Sequence, residues 1–486
     1  MNGAPARNLT AVGLQAAAQY LRDNGGRMQM AYALPRPAGG VEVRYLVAPA
    51  DPASFALWCC AEDELPSLAT IWPLLGWYER EMTDLYGVRF IGHPEPAPLV
   101  LPATTPAPFA ERRAATVATG KDVLPEIRAN DLQVLPFGPV RADVLESAGF
   151  SFVYVGEHIV HYHPDLFLKH RGMESRFEGL GTDAGVILAE RVSAVGTVAH
   201  ALAYCQAVEA ACGCDVPPRA RWLRSLLAEL ERVYNHLHYF GHLANTTTLR
   251  VGEAQGKLLE EQAKQINARL TGSRFLRGLL TLGGLRRDLD LGDWLSPALE
   301  ALRAATADYV AMLERSDSHL DRLITTGHLS ARVAFEQGAT GPVQRASGID
   351  RDVRRDHPYA AYADLPLEVP VSQQGDAHAR AVVRAEELDN SIAMMQRILL
   401  LAPKGEVRTA CAPVPGTEGL GWTESPRGSL FYAVHLGAGG RLARVKVKSP
   451  SFSNWRVFPS TVHDTNMMDY AINEASFGLT IAGCAR

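Results

Sequence analysis

Five long segments with the periodicity of amphipathic helices constrain the fold of this chain more than any other feature of its sequence. In each segment apolar residues recur at three- and four-residue spacing, the pattern of a helix with one buried face. The segments are Gly185–Ala211, Pro218–Leu243, Glu253–Leu280, Pro297–Ile324 and Ala377–Leu401. Pro218 and Pro297 stand at predicted helix starts, where a missing backbone N–H costs least. Helices of this length predict a long antiparallel bundle.

Shorter patterns predict small sheets on both sides of the bundle. The N-terminal region alternates helical and strand-like segments, and strand character returns before and after the bundle. These segments are the helices Leu14–Asn24 and Ser67–Leu85 and the strands Met28–Ala33, Val41–Ala48, Phe150–Val155, His158–Tyr162 and Phe431–Pro450. The predicted fold class is α+β, with a small N-terminal α/β domain and a large, mostly helical bundle domain bracketed by small β-sheets.

A proline-rich segment separates the two regions. Six prolines lie between His93 and Pro108, spaced by alanine and other small residues. Proline removes backbone donors and favours extended conformations, so the segment is predicted to be a linker, or a clamp that runs over a surface. The predicted domains are residues 1–92 and 136–486, joined by a Pro/Ala-rich linker at 93–135.

Charge and cysteine usage exclude several classes of function. The net charge is −5 and no basic cluster is present, so nucleic acid is not an expected partner. The seven cysteines form no disulfide framework, which fits a reducing compartment. No apolar run reaches the ~18 residues of a membrane span, so any membrane association is expected to occur through partner subunits.

A charged and aromatic motif ends the predicted N-terminal domain. It runs from Trp77 to Val88 as WYEREMTDLYGV and continues at Gly92-His93-Pro94. The motif closely resembles the signature of the 30-kDa-type subunit of respiratory complex I. The resemblance implies a structural docking role for Glu79, Arg80, Glu81, Asp84 and Gly87. The alternative is a solvated helix face that ends at Gly87 as a C-cap.

Ordered motifs also run through the large domain. They include HRGME at 170–174, VPPRA at 216–220, AELERVYNHL at 228–237, ESPRG at 424–428 and PSF at 450–452. These motifs resemble the 49-kDa-type subunit of complex I and its relative, the large subunit of membrane-bound nickel–iron hydrogenases. Fusion to a 30-kDa-like domain is typical of the group 4 hydrogenases, of formate-hydrogenlyase and hydrogenase-4 type.

The chain departs from the hydrogenase pattern where that family binds its metals. Hydrogenases carry two Cys-x-x-Cys pairs, and the corresponding positions here are Ser193 and Gly196, then Thr480 and Gly483, with Cys484 one place beyond. A nickel–iron centre needs soft, deprotonated thiolates, which hydroxyl groups and glycine do not replace. We therefore expect no metal and no other cofactor bound by this chain. His238 with His242, and Cys212 with Cys214, are not interpreted as metal sites.

The chain also departs from the complex I pattern. In complex I a histidine after the Gly-Pro pair and a tyrosine near position 194 are associated with the quinone headgroup, and this chain has Arg141 and Ala194 there. Pro426-Arg427-Gly428 resembles the hydrogenase form of its motif, in which the arginine overhangs the active-site cavity.

A polar pocket around Arg427 is the predicted catalytic site. Glu424, Glu190 or Glu157 is expected to balance the guanidinium charge, since an unpaired arginine in a dry cavity is too costly. The alternative is a buried salt-bridge network left from an ancestral active site. The resemblance also places His170 and Arg171 beside an iron–sulfur cluster of a neighbouring small subunit, where a cation stabilises the reduced cluster.

The predicted function is that of a hydrogenase-like subunit of a complex-I-related membrane-bound oxidoreductase, without a nickel–iron centre of its own. It would take part in electron transfer, with quinone as one candidate carrier, coupled to ion translocation. Its expected partners are an iron–sulfur small subunit and antiporter-like membrane subunits, on the cytoplasmic side of the cell membrane. The alternatives are a non-catalytic scaffold of such a complex and an NADH–quinone oxidoreductase subunit.

Overall fold

A bundle of long helices forms the centre of the molecule. The computed structural model describes residues 6–36, 39–50, 54–62, 64–101, 131–140 and 146–486. The longer helices are α1 (Ala11–Asp23), α2 (Leu75–Tyr86), α4 (Thr182–Ala189), α5 (Thr197–Cys212), α6 (Pro218–Thr246), α7 (Arg250–Thr271), α8 (Gly292–Glu314), α13 (Ala377–Leu401), α14 (Pro450–Val457) and α15 (Tyr470–Phe477). The short helices are α3 (Met173–Phe177), α9 (Asp317–Leu323), α10 (Ala331–Glu336), α11 (Pro342–Ala346), α12 (Val353–Asp356) and α16 (Ile481–Ala485).

Small sheets surround this bundle, so the predicted α+β fold class is confirmed. The strands are β1 (Ala6–Asn8), β2 (Arg27–Pro35), β3 (Val41–Ala48), β4 (Ala56–Cys60), β5 (Glu64–Pro66), β6 (Arg89–Ile91), β7 (Gln133–Phe137), β8 (Gly149–Val155), β9 (His158–Asp165), β10 (Leu280–Thr281), β11 (Gly284–Leu285), β12 (Glu418–Ser425), β13 (Gly428–Leu436), β14 (Leu442–Lys448) and β15 (Thr465–Asn466). They form sheets of order β1-β4-β3-β2, β15-β9-β8-β7 and β12-β13-β14, and the pairs β5-β6 and β10-β11.

Three of the five predicted long helices differ from the structure. The segment Gly185–Ala211 is broken into α4 and α5 by turns around Ser193 and Gly196. The segment Glu253–Leu280 ends early, because Gly272 adopts a left-handed conformation with φ of 77° and caps α7. Pro297 lies inside α8 rather than at its start, and the segment ending at Ile324 is divided between α8 and α9.

The predicted helix Ser67–Leu85 is also shorter in the structure. Helix α2 starts at Leu75, just after Pro73, and the preceding residues form turns. Glu79 of α2 accepts hydrogen bonds from the Ser67 hydroxyl at 2.6 Å and from the Leu68 N–H at 2.8 Å. The Ser67 hydroxyl and the Leu68 N–H therefore donate to a side chain, and the Leu68 N–H does not take part in a helical hydrogen bond.

Helix α5 packs directly on the three-stranded sheet β12-β13-β14. A Cβ atom at Gly419 or Gly421 would lie 1.9 Å from the carbonyl oxygen of Ala207 or 2.0 Å from that of Ala203. Glycine at these two positions allows the helix backbone to touch the strand. This contact sets the position of the hairpin that carries Arg427.

The N-terminal unit shares its hydrophobic core with the rest of the chain. Its α2 contributes Trp77 and Tyr78, whose rings lie 5.5 and 4.9 Å from the ring of Phe452 in α14. The same core contains Phe431 of the central sheet. The N-terminal unit therefore packs directly against the large domain.

Only the ends of the predicted linker at 93–135 are among the described residues. Residues 93–101 run over α2, where they bond to Gly76, Arg80 and Asp84, and strand β7 begins at Gln133. Residues 102–130, like Arg141, lie outside the described part of the chain. Among the described residues, no helix is both long and apolar enough to cross a membrane.

Candidate functional site

Arg427 is held in the tight turn between β12 and β13. Ser425 and Gly428 are paired across the hairpin, so Pro426 and Arg427 form its two-residue loop. The Ser425 hydroxyl donates to the Gly428 carbonyl at 2.9 Å and accepts from the Arg427 N–H at 3.2 Å. Arg232 of α6 supports the same turn, because its Nη2 donates to the Glu424 carbonyl at 2.7 Å. The turn therefore aims the Arg427 side chain at one defined place.

The guanidinium of Arg427 donates hydrogen bonds to two neutral oxygen atoms. Its Nε donates to the Gly478 carbonyl at 2.7 Å, and its Nη1 donates to Asn235 Oδ1 at 2.8 Å. Burial lowers the pKa of Arg427 to about 10. The Glu231 and Glu146 carboxylates act on this charge from farther away and oppose that shift. Arg427 thus remains a cation in a site without a directly bonded carboxylate among the described residues.

A cavity of about 70 Å³ lies beside Arg427. Its polar lining includes two guanidinium groups and comes from α6, α13 and the hairpin: Asn235, His236, His238, Tyr239, His242, Arg384 and Arg427. Among the described residues, Arg384 donates to the backbone carbonyls of Arg380 at 2.9 Å and Phe477 at 2.9 Å. The cavity can therefore attract negative charge or polar oxygen atoms.

Glu424 does not balance Arg427 but belongs to a different group of charges. Its carboxylate accepts from Arg345 Nη1 at 3.2 Å. Glu424 is one of seven buried residues that we call the central ion-pair network. The network consists of Glu229, Arg232, Arg345, Asp352, Arg354, Glu387 and Glu424. Glu424 lies in β12 and Arg427 lies in the turn that follows it, so the two side chains need not meet.

The central ion-pair network holds four carboxylates and three guanidinium groups. His236 Nε2 lies 2.6 Å from Glu387 Oε2, but burial lowers the pKa of this histidine to about 4, so it is neutral near pH 7. Burial, and then the neighbouring charge of Asp352, raise the pKa of Glu424 to about 7. When Glu424 is protonated, three carboxylates face three guanidinium groups. The network therefore contains one carboxyl group that can bind and release a proton near neutral pH.

The other two proposed counter-ions of Arg427 also lie elsewhere. Glu190 is buried and accepts from the Gly278 N–H at 2.7 Å, and burial raises its pKa. Glu157 is exposed and accepts from Asn466 Nδ2 at 3.2 Å. The sequence interpretation missed Glu231, which binds the Val198 and Ala199 N–H groups at the start of α5 and whose pKa burial raises to about 7.

The positions of the hydrogenase ligands are filled by internal contacts. Thr480 caps α16, since its hydroxyl accepts from the Gly483 N–H at 3.2 Å. Ser451 Oγ lies 3.1 Å from Thr480 Oγ1. A Cβ at Gly483 would approach Thr480 Oγ1 to 2.5 Å, and a Cβ at Gly196 would approach His200 Cδ2 to 3.2 Å. Ser193 is buried and lies in the turn between α4 and α5.

This donor set does not fit a nickel–iron centre. Two hydroxyl groups and two glycines supply no thiolate, and the Thr480 hydroxyl already serves the backbone. Cys484, whose pKa burial raises, is enclosed in the core next to α14. No step of the chemistry is therefore assigned to such a centre on this chain.

Arg171 and His170 join the two segments that carry these positions. Arg171 Nη1 donates to the Arg191 carbonyl at 3.2 Å, and its Nη2 donates to the Val192 carbonyl and, at 3.1 Å, to the Ala482 carbonyl. His170 Nδ1 lies 2.7 Å from the Ala485 carbonyl oxygen. All these acceptors are neutral, and among the described residues no ion pair cancels the positive charge of Arg171, although the Glu146 carboxylate acts on it from farther away.

Four of the five predicted docking residues, all but Gly87, contact other parts of the same chain through their side chains. Glu79 is fully buried, and burial raises its pKa to about 7. Arg80 donates to the Ala97 carbonyl at 2.7 Å, and Asp84 Oδ2 accepts from the N–H groups of residues 99, 100 and 101 at 2.8, 2.8 and 3.1 Å. The alternative of a solvated helix face is wrong, although Gly87 does cap α2 with φ of 69°.

Glu81 joins α2 to the large domain through a second buried ionic group. It accepts from Arg486 Nη2 at 2.7 Å and contacts Lys446 Nζ. Glu174 completes this group by accepting from Arg486 Nε at 2.9 Å and Arg444 Nη2 at 2.7 Å. The sequence identifies the HRGME motif but not the roles of Glu174 and Arg486. The alternating pattern VKVK at 445–448 is the sequence feature that could have pointed to Lys446 as a member of this ionic group.

The histidine and cysteine pairs show no metal-binding arrangement. His238 lies 3.1 Å from Glu260 and its ring stacks 6.5 Å from that of His242. Cys214 donates to the Ala410 carbonyl at 3.8 Å. Across the described ranges, no group of three or more His, Cys, Asp or Glu side chains could hold a metal ion.

Comparison with known proteins agrees with these features. Three family models match: the 49-kDa subunit of respiratory-chain NADH dehydrogenase at residues 259–414 and 408–486, its 30-kDa subunit at 8–115, and nickel-dependent hydrogenase at 171–269. A solved chain from the membrane-bound sulfane sulfur reductase, an archaeal respiratory membrane complex, is 26% identical with a TM-score of 0.69. That match covers 73% of this chain and 99% of the other.

Curated relatives span most of the sequence. Formate hydrogenlyase subunit 5 of Escherichia coli (strain K12) is 31% identical, with coverage of 81% of this chain and 72% of the relative. Hydrogenase-4 component G of the same organism is 31% identical, with coverage of 84% and 73%. The fused C/D protein of the NADH-quinone oxidoreductase of Cereibacter sphaeroides is 28% identical, with coverage of 91% and 85%. This chain therefore belongs to the family of hydrogenase-like large subunits that unites these proteins, as its motifs predict.

Proposed function

We propose that this chain is the hydrogenase-like subunit of a complex-I-related, membrane-bound oxidoreductase and couples electron transfer to proton movement. The observation that carries the proposal is a combination of three features. Internal contacts fill the metal-ligand positions, a cavity lies beside Arg427, and the central ion-pair network contains a carboxyl group with a pKa near 7. The relatives named above include subunits of formate hydrogenlyase, hydrogenase-4 and NADH-quinone oxidoreductase, and a respiratory membrane complex.

The coupling follows from the charges described. Glu424 and Glu231 each have a pKa of about 7, raised by burial, so a small change in local potential alters their protonation. An electron that arrives at a neighbouring redox centre adds negative charge, which raises these pKa values and favours proton uptake. Loss of the electron reverses the change. Arg427 holds a fixed positive charge within electrostatic reach of Glu231 and can bind a polar redox carrier, for which a quinone is the candidate.

The neighbouring redox centre is proposed to be an iron–sulfur cluster in a small subunit docked over Arg171. Two exposed apolar side chains support docking there: Leu168, 55% exposed and close in sequence to Arg171, and Ile187, 47% exposed. Arg191 Nη1 donates to the Ile187 carbonyl at 2.6 Å, and the Arg191 carbonyl in turn accepts from Arg171. Apolar residues around an incompletely paired cation form a face that suits an iron–sulfur protein.

Antiporter-like membrane subunits are the remaining proposed partners, with the assembly on the cytoplasmic side of the membrane.

Exchange of arginine for lysine at position 427 tests the proposal. Arg427→Lys keeps the charge but loses the fork that binds Gly478 and Asn235 together. We expect the complex to assemble with an unchanged melting temperature but to lose at least nine-tenths of its turnover. Arg397→Lys, at an exposed position, is the matched control.

The main competing function is a non-catalytic scaffold. In that case Arg427→Lys would leave turnover unchanged, or would lower turnover and thermal stability together. Arg171→Ala adds a second test, since removing a cation that favours the reduced cluster should lower the midpoint potential of that cluster. Unchanged turnover in Arg427→Lys and an unchanged potential in Arg171→Ala would leave only the scaffold.

A further inference from the structure

A second cavity, of about 50 Å³, lies between the N-terminal unit and the large domain. Four arginine and lysine residues line it, and each comes from a different part of the chain. They are Arg27 of β2, Arg351 before α12, Lys448 at the end of β14 and Arg456 of α14. Convergence of four cations on one small cavity requires compensation, because like charges brought together out of water repel.

Among the described residues, hydrogen bonds and ion pairs compensate these cations incompletely, although Lys448 Nζ lies 4.8 Å from the centre of the Phe431 ring and Arg27 lies 5.2 Å from that of Phe335. Lys448 is 4% exposed, yet among those residues its Nζ donates only to Ser429 Oγ, at 3.2 Å. Both Nη atoms of Arg27, 8% exposed, lie 3.5 Å from Gln344 Oε1. Arg456 Nε is buried and has no hydrogen-bond partner in the described part of the chain. Each of these cations retains donor capacity toward the cavity.

The two carboxylates of the cavity wall are already engaged by other arginines. Asp352 accepts from Arg354 Nη2 at 2.7 Å and lies 3.2 Å from Arg345 Nη1. Asp356 accepts from Arg355 Nε at 2.9 Å. Within the described ranges, neither aspartate forms an ion pair with the cations that face the cavity.

The pKa values of the cations reflect this imbalance. Burial, and then the charge of Arg27, lower the pKa of Lys448 to about 7. Burial, and then the charge of Arg351, lower the pKa of Arg27 to about 9. Burial lowers the pKa of Arg456 to about 10, although Glu95 and Glu79 act in the opposite direction. The protein alone thus disfavours the charged forms of groups that an anion would stabilise.

We propose that this cavity binds a small oxyanion between Lys448, Arg27 and Arg456. Its volume of about 50 Å³ is several times the ~10–15 Å³ that one water molecule needs, so a phosphate-, sulfate- or carboxylate-sized group can enter. Phe55 and Phe431 are among the apolar residues of the wall, which limit competition from water. A bound oxyanion would connect β2 of the N-terminal unit with β14 and α14 of the large domain.

Calorimetric titration of the full-length chain tests this site. Sodium phosphate, sodium sulfate and sodium acetate are each compared with sodium chloride at matched ionic strength. We expect saturable binding of at least one oxyanion at one site per chain, with a higher melting temperature in its presence. The preferred salt distinguishes a tetrahedral oxyanion from a planar carboxylate. Heats and melting temperatures that are the same in all four salts would overturn the proposal.

Substitutions locate the binding site. Lys448→Met should weaken oxyanion binding at least tenfold without lowering the melting temperature in chloride, because it replaces a poorly compensated buried cation by an apolar group. Arg456→Gln provides an independent variant on another element and should weaken binding likewise. Lys404→Met, at an exposed position, is the matched control. Wild-type affinity in either cavity variant that folds would contradict the assignment.

Discussion

Replacing Glu424 by glutamine tests whether the central ion-pair network contains a group that titrates near neutral pH. Glutamine has nearly the same shape as a protonated glutamate and can still accept the bond from Arg345. The substitution therefore removes the titration while changing the packing little. Glu424 is only 2% exposed, so the surroundings that raise its pKa from 4.5 to about 7 belong to the folded protein.

The expected magnitude follows from this difference in pKa. The folded protein holds the proton of Glu424 more tightly than the unfolded chain does, so protonation stabilises the folded state. This stabilisation is complete below the unfolded pKa of 4.5 and is lost as the pH rises toward the folded pKa of about 7. Such a shift corresponds to a loss of about 3 kcal/mol of unfolding free energy across that interval.

Thermal unfolding of the wild-type protein and Glu424→Gln between pH 5 and pH 8 measures the effect. The wild-type melting temperature should fall more steeply with rising pH than that of the variant, and the variant should be the more stable of the two at pH 8. Glu406→Gln, at an exposed position, should behave as the wild type. An unchanged pH dependence in Glu424→Gln would refute the reasoning, and would transfer the titration to Glu79 or Glu231, whose pKa values are also about 7.

Three further predictions concern the metal-ligand positions and the N-terminal unit. Elemental analysis of the purified chain should find nickel and iron well below one atom per chain, and near-equimolar nickel would contradict the assignment of Ser193 and Thr480. Gly483→Ala should lower the melting temperature because its Cβ would lie 2.5 Å from Thr480 Oγ1, whereas the control Gly181→Ala, with open space around it, should not. Asp84→Ala should lower the unfolding free energy by about 1–3 kcal/mol, because three N–H groups lose their acceptor. Limited proteolysis should cut residues 93–101 faster in this variant than in the exposed control Asp321→Ala.

The fold was largely predictable where local pattern decides it. Val41–Ala48 forms a strand with the predicted bounds, and Ala377–Leu401 forms a helix with the predicted bounds. The break between α4 and α5 was not predictable in this way, because apolar periodicity continues through it. After the break, the first N–H groups of α5 donate to Glu231, a residue of another helix, and such a contact between distant residues leaves no local pattern.

The residues of the candidate site were predictable from motifs, but their partners were not. The motif identifies Arg427, yet its acceptors are the Gly478 carbonyl and Asn235, 51 and 192 positions away in sequence. Glu424 lies three residues from Arg427 but joins Arg345 instead. Proximity in sequence says little about pairing across a tight turn, and a backbone carbonyl has no signature in the sequence. Tertiary packing alone decides these contacts.

The ionic group around Glu81 has a consequence for synthesis of the chain. Its two cationic partners, Lys446 and Arg486, lie 365 and 405 positions later in the sequence. At a translation rate of about 5–20 residues per second, the first of these partners emerges roughly 20–70 s after Glu81, and the second several seconds later. During that interval the N-terminal sheet can form, but the face of α2 that carries Glu81 has no counter-charge to bury against. A chaperone that binds the nascent chain would therefore find this helix accessible for most of translation.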